Sequence, residues 1–325
     1  MLRIADTFIV ERPRTVDDAL VLLSQYGESA RIVAGGTDII PNIKHGLHAP
    51  EVLVDIKGIE TMRHVDLSGD VLKLGALVPI HTLATHSGLR SVLPALAEAA
   101  SAIAGPQLRR MGTLGGNVCL DTRCVYINQT HFWRQSLGYC LKKDGTQCHV
   151  VVTGKRCVAA ASNDTAPVLM TLDAQLELIS PRGTRLVGLD EFYVNDGVKN
   201  NQIASDELLV GVHVPRPDAS RAMAYQKLRI RGAIDFPMLN LGLSYLKDGE
   251  TIRDIQLVFS AIAARPRRIK NLPEGPLDEG LIEQIAQLAF KRIRPLTNIN
   301  GDVVWRREMA PVLVRRAFES AQYSA

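Results

Sequence analysis

Four of the five cysteines, Cys124, Cys140, Cys148 and Cys157, fall within 34 residues of a 325-residue chain. They belong to a stretch from 118 to 163 that is rich in Thr, Asn, Gln, Gly and Lys and shows neither a helical nor a strand period. A segment of 46 residues without such a period cannot be ordered by an apolar face, and segments this long are uncommon inside domains unless they serve a function. Bound metal supplies order of that kind. Sulfur ligands select zinc, copper(I) or iron-sulfur clusters over hard cations. The gaps of fifteen, seven and eight residues lack the close C-x2-C knuckle of most structural zinc sites. Spacing alone leaves iron-sulfur ligation, zinc ligation and unligated thiols open. His131 and His149 lie in the same stretch as further candidate ligands, or as solvated loop residues. Cys119 reads as a small buried residue, not a fifth ligand.

Two disulfides would suit a small secreted scaffold, but this chain is large enough for a full core, and Met1 to Asp6 lacks the apolar segment of a signal peptide. A reducing, cytoplasmic setting is expected. With 46% hydrophobic and 22% charged residues the chain has the composition of a soluble protein, and its length suggests two domains. No uncharged apolar run approaches the roughly 18 to 20 residues of a membrane span. The net charge of +4 is small, and the basic groups at Arg265 to Arg268, Lys291-Arg292 and Arg306-Arg307 are separated by acidic and apolar residues. Neither a membrane nor a nucleic-acid partner is expected.

Along the chain, Phe8 to Glu11 reads as a strand, followed by a helix that Thr15 can cap, with Val16, Ala19, Leu20 and Leu23 at helical spacing. Arg31 to Ala34 is a strand running into Gly35-Gly36-Thr37-Asp38, then a helical turn at Ile39 to Ile43 and a strand at Glu51 to Ile56. Strands near 64–67 and 71–77 precede helices near 79–84 and 93–104. After the cysteine segment the apolar run from Ala166 to Leu172 resumes the α/β pattern, with strands at 175–179 and 184–187. From Leu208 the texture changes to strands at 208–214, 224–228, 239–246 and 255–262, then helices near 279–291 and 305–323, with a turn signal at Lys247 to Glu250. A boundary near Pro215 divides 1–215, carrying the insertion at 118–163, from 216–325.

Gly35-Gly36 and Gly115-Gly116 each remove side chains where backbone can approach a ligand, so that successive N–H groups can cradle diphosphate oxygens. Neither matches the Rossmann or P-loop fingerprint, and a Gly-Gly pair is often only a tight turn. Two such turns beside a thiol cluster point to a redox cofactor with a diphosphate, and flavin is the one that exchanges electrons with iron-sulfur centres. No nucleophile elbow, zincin helix or paired carboxylates appear, so no catalytic residues are assigned.

Ala34-Gly35-Gly36-Thr37-Asp38 and Thr113-Leu114-Gly115-Gly116-Asn117 resemble the two FAD signatures of the flavoprotein subunits of the molybdenum hydroxylase family, which includes xanthine and carbon monoxide dehydrogenases. Asp164-Thr165-Ala166-Pro167 resembles the family's D-x-x-P element, Asp206 to Leu209 with Pro215 its strand leading to the C-terminal domain, and Tyr225-Gln226-Lys227 its aromatic-x-lysine region. The resemblance covers nearly the whole chain. It implies an α+β fold: a two-part FAD-binding (PCMH-like) domain with an iron-sulfur loop inserted, plus a smaller C-terminal α+β domain. It implies that Ile32, Val33, Ala34, Gly35, Gly36, Thr37, Asp38 and Ile39 wrap the FAD diphosphate, that Thr113, Gly115, Gly116 and Asn117 form a second clamp, and that Asp164, Leu209 and Lys227 also meet FAD. The plain alternatives are a helix N-cap for Asp164 and a surface position for Lys227.

Most family members join the second turn to the aspartate through a few residues. A 46-residue insertion with four cysteines there resembles the 4-hydroxybenzoyl-CoA reductase branch, whose flavin subunits bind a 4Fe-4S cluster in it. Through that branch the resemblance implies cluster ligation by Cys124, Cys140, Cys148 and Cys157. It also implies a molybdenum cofactor large subunit, a small subunit with two 2Fe-2S clusters, ferredoxin as donor, and a heterohexamer of two heterotrimers. The competing expectation is an NAD-linked flavoprotein subunit whose insertion holds structural zinc.

Overall fold

The computed structural model describes residues 8–323. It places three sheets in chain order. The first is wholly parallel, in the order β1 (Ile9–Glu11), β3 (Val52–Asp55), β2 (Ala30–Val33), with α1 (Val16–Tyr26) and α2 (Ile39–Lys44) in the connections. Thr15 caps α1 by accepting from the Asp18 amide at 3.1 Å. Central β3 is buried on both faces: Val52 and Val54 join the main core with Ala19 and Leu23 of α1, while Leu53 meets Val33 and Ile43 in a smaller core on the opposite side.

The second sheet is antiparallel, in the order β4 (Val65–Asp66), β5 (Val71–Gly75), β8 (Leu208–Pro215), β6 (Gln175–Ser180), β7 (Gly183–Gly188). Between its early and late strands run α3 (Ile80–Thr85), α4 (Ser87–Val92), α5 (Pro94–Ser101), α6 (Pro106–Met111), α7 (Leu114–Val118), α8 (His131–Ser136) and α9 (Thr165–Thr171), and α10 (Leu189–Phe192) follows β7. Every residue of α9 is buried.

After Pro215 the chain changes sheets. β9 (Arg221–Leu228), β10 (Leu239–Asp248) and β11 (Thr251–Ser260) form an antiparallel meander, with short β12 (Arg267–Arg268) and β13 (Gly275–Pro276) pairing β11. Gly249 takes a left-handed φ of 62° at the hairpin tip. α11 (Glu279–Arg292) and α12 (Val303–Tyr323) pack on this sheet, giving it its own apolar core around Leu241, Leu257, Ile285 and Phe318. None of the helices is long and apolar enough to cross a membrane among the described residues.

Candidate cofactor cleft and cysteine pocket

Where the three sheets meet, a cleft of about 580 Å³ opens, a size typical of small-molecule sites. Its lining includes Ile32, Ala34, Gly35, Gly36, Thr37, Asp38 and Ile39 from the first glycine turn, Thr113, Gly115, Gly116 and Asn117 from the second, and Asp164 and Leu209. Two of the residues implied by resemblance lie elsewhere. Val33 alternates away from the cleft into the small core with Ile43 and Leu53, as the period-2 rule for a strand requires. Lys227 sits behind the wall, its ammonium 3.0 Å from Asp164 Oδ1 and 3.1 Å from the Ala102 carbonyl.

The two turns present their backbones differently. In the first, the amides of Gly35, Gly36, Thr37, Asp38 and Ile39 donate to no protein acceptor among the described residues. Gly36 is left-handed, with φ at 71°. A Cβ on Gly35 would stand 2.0 Å from the Met111 carbonyl oxygen, so this glycine also lets the turn dock against the end of α6. In the second turn every amide of the first helical turn is taken. Leu114 donates to Val78 O at 2.9 Å and Gly115 to Ala76 O at 2.8 Å, while Gly116 donates to Thr113 Oγ1 at 3.1 Å and Asn117 to Thr113 O at 2.9 Å. A free cradle of amides at Gly115-Gly116, expected from sequence, is therefore absent, because α7 is seated on the carbonyls of Ala76 and Val78, just past β5, and is capped by its own threonine. Asn117 Oδ1 in turn accepts from the Thr165 amide at 3.1 Å and hydroxyl at 2.7 Å, tying α7 to α9.

Asp164 occupies the N-cap position of α9 without capping it; its carboxylate instead accepts from Tyr225 and Lys227. Burial pushes this carboxyl up and the Lys227 ammonium down, and each opposes the shift of the other. Asp38, Asp121 and Asp235 also line the cleft, and its arginine is Arg123, which pairs with Asp38 and stacks 4.3 Å over Phe236. Burial lowers its pKa to about 10, and its Nε is buried without a partner. Free amides on one side and an incompletely satisfied guanidinium on the other suit an anionic diphosphate. His48, Ile80, Leu108, Ile234 and Phe236 complete an otherwise apolar wall fit for a ring system. Sequence reasoning missed Arg123, His48 and the 234–236 loop; none carries a local motif, and the loop reaches the cleft from the third sheet.

The four clustered cysteines converge. Cys124, Cys140, Cys148 and Cys157 are buried, are not disulfide-bonded, and line one small cavity of about 20 Å³ with Tyr126, Lys142 and His149. Leu47, Ile127 and Ala159 pack around them. Burial raises the Cys124 and Cys157 thiols to about 11. The amides of Val151 and Ala159 already point at Cys148 Sγ and Cys157 Sγ, at 3.5 and 3.4 Å. No group of three or more His, Cys, Asp or Glu side chains among the described residues is spaced to hold a single metal ion. Cys119 lies on the cleft, where burial raises its thiol to about 12. His149 faces the pocket and contacts the Tyr139 carbonyl at 2.5 Å.

Cleft and pocket share a wall one residue thick. Arg123 lines the cleft and Cys124 the pocket; His48 lines the cleft and Leu47 packs on the thiols. Lys142, in the pocket, donates at 2.7 Å to Asp121, in the cleft. Arg134, fully buried in α8, fastens the cysteine segment to the first subdomain through His45 O at 2.9 Å.

A family profile described as FAD binding domain in molybdopterin dehydrogenase matches residues 6–217, and one described as CO dehydrogenase flavoprotein C-terminal domain matches 223–321. The carbon monoxide dehydrogenase medium chain of Afipia carboxidovorans is 28% identical over 99% of both chains. The aldehyde oxidoreductase FAD-binding subunit of Escherichia coli is 31% identical, covering 81% of this chain and 84% of that one. A solved structure of Cu,Mo-CO dehydrogenase superposes with a TM-score of 0.82 at 27% identity, over 99% of this chain and 100% of that one. With its cleft built on the two glycine turns and both profiles spanning nearly its full length, the chain belongs to the FAD-binding subunits of the molybdenum hydroxylase family.

Proposed function

We propose that this chain is the flavin and iron-sulfur electron-transfer subunit of a 4-hydroxybenzoyl-CoA reductase. In that role it passes electrons from ferredoxin toward the 2Fe-2S clusters of a small subunit and the molybdenum site of a large one, where 4-hydroxybenzoyl-CoA is dehydroxylated to benzoyl-CoA. The carrying observation is the convergence of four free cysteines from one inserted segment on a pocket one residue away from the FAD cleft. Four thiols lining one cavity supply the ligand number that a 4Fe-4S cluster requires.

The chain's own residues divide the work. The amides from Gly35 to Ile39 and the Arg123 guanidinium hold the cofactor's anionic diphosphate, and the apolar wall from Ile80 to Phe236 excludes water from its ring. Asp164, held by Tyr225 and Lys227, fixes the floor and keeps an acceptor facing the cleft. Cys124, Cys140, Cys148 and Cys157 supply four thiolates, with the Val151 and Ala159 amides as donors to sulfur. Bound there, FAD and a 4Fe-4S cluster would supply two-electron and one-electron chemistry respectively. The free thiols suit a cytoplasmic setting, and the complex would be a heterohexamer of two heterotrimers.

One observation favours a second reading. The cavity among the thiols is only about 20 Å³, closer to the size of one ion than of a cluster, which suits an NAD-linked flavoprotein subunit with structural zinc. Iron, acid-labile sulfide, zinc and flavin per chain on anaerobically purified complex decide between them. About four iron and four sulfide with one FAD is expected; zinc without sulfide would sink the reductase assignment and leave the flavoprotein family standing.

A further inference from the structure

The cysteine segment has an electrostatic character that its fold does not require. Residues 118–163 hold six basic and two acidic side chains, a net of +4 that equals the net charge of the entire chain. The other residues carry thirty-two charges of each sign. Half of the segment's basic groups are consumed internally: Arg123 on Asp38, Lys142 on Asp121, and Arg134 on the His45 carbonyl. The rest lie outward. Lys155 and Arg156, immediately before Cys157, are exposed and have no ion-pair or hydrogen-bond partner among the described residues, and Lys143 pairs only with its neighbour Asp144 at 3.3 Å.

The same segment carries exposed apolar side chains. Phe132 on α8 is 80% exposed, the highest value for a large apolar residue among those described, and Trp133 on the same helix and Leu137 just after it are also open. This patch communicates directly with the thiols. The Trp133 ring lies 6.3 Å from that of Tyr126, which lies 5.1 Å from that of His149, and both of these line the cysteine pocket. Exposed aromatic side chains and free basic groups carried by one segment around a buried thiol site are the composition of a transient electron-transfer interface, where charge speeds encounter and a small patch allows rapid release.

We infer that this face docks a small acidic one-electron carrier protein, with Phe132 and Trp133 at its centre and Lys143, Lys155 and Arg156 at its rim. The inference rests on the reductase reading above and adds the surface through which the donor is recognised. With a cluster held by the four cysteines, each encounter would oxidise the carrier by one electron and reduce that centre by one, with no bond made or broken. The charges guide the carrier to the pocket side of the chain.

The test uses the intact purified complex with a reduced acidic ferredoxin as donor and reduced methyl viologen, small and cationic, as control. A Lys155→Glu/Arg156→Glu double variant and a Phe132→Ser variant are compared with the parent. For the double variant kcat/KM for ferredoxin is expected to fall about tenfold at low ionic strength, and most of that difference to vanish near 0.5 M salt. Phe132→Ser should lower it about fivefold with little salt dependence, because it removes packing and not charge. Viologen-driven turnover, iron and FAD content should stay at parental levels. An unchanged kcat/KM for ferredoxin with full iron content overturns the docking face alone. Loss of a subunit from the variants on size-exclusion chromatography overturns it too, by showing that the face seats a complex partner. A parental complex without iron and sulfide removes the reductase reading and the docking face together.

Discussion

The two glycine turns look interchangeable in sequence, yet one offers its backbone to the cleft and the other spends it on the protein. Five successive amides from Gly35 to Ile39 are free, whereas Leu114, Gly115, Gly116 and Asn117 all donate internally. The first turn keeps the free amides that a ligand cradle needs. The second is a hinge-pin of the scaffold: it seats α7 on the Ala76 and Val78 carbonyls, caps it with Thr113, and hands Asn117 to α9. A Gly-Gly pair therefore records close backbone approach, and only the hydrogen-bond account says whether the approaching partner is ligand or protein.

This contrast predicts where substitutions act. The largest effect is expected behind the second turn. Lys227→Met leaves the Asp164 carboxylate buried without its cation, and should cost about 3–5 kcal/mol of stability in urea unfolding of the FAD-free protein. Burial already raises the Asp164 carboxyl, and Lys227 is the chief group opposing that. Without Lys227 the folded-state pKa rises further above the unfolded value of about 3.9, so the carboxyl's contribution is intact below that pH and lost as pH rises through the folded pKa. The variant should thus approach the parent's stability near pH 4 and fall away toward neutrality; a pH-independent gap would show that the carboxylate is not the source.

Gly115→Ala comes next. Its Cβ would meet Ala76 Cβ at 2.8 Å and the Ala76 carbonyl at 3.0 Å, and the resulting overpacking should cost about 1–3 kcal/mol in the FAD-free protein. A loss of FAD affinity with parental stability would instead make this turn a cradle like the first. The smallest effect is expected at Gly36→Ala. Its left-handed φ of 71° makes alanine strained by about 1 kcal/mol. That strain falls on the conformation that presents the free amides, so FAD dissociation should rise about fivefold in fluorescence titration while the urea midpoint moves little. A larger change in stability than in FAD binding would erase the distinction between the turns.

Much of this arrangement was legible in the sequence. The Thr15 cap, the hairpin at Gly249 and both glycine turns at one cleft follow from local chemistry that turns, caps and backbone sterics impose wherever they occur. The gathering of four cysteines around one cavity follows from their separation from any apolar period. What stayed hidden is long-range. Most of the run from Ala166 to Leu172 belongs to α9, a helix buried on every side, so it shows no amphipathic period by which to tell it from a strand. Arg123 sits among cysteines in sequence but reaches Asp38, at the start of α2, and Phe236, in the loop between β9 and β10. Lys227 carries no mark of its burial, because the carbonyl and carboxylate that satisfy it lie 125 and 63 positions away.

The loop at Ile234 to Phe236 supplies one wall of a cleft whose opposite wall begins at Ile32. A nascent chain emerging from the ribosome thus displays its glycine cradle some two hundred residues before the part that closes over it. Any product of synthesis that stops before this loop lacks a side of the site, so cofactor capture has to wait until about three quarters of the chain has been made.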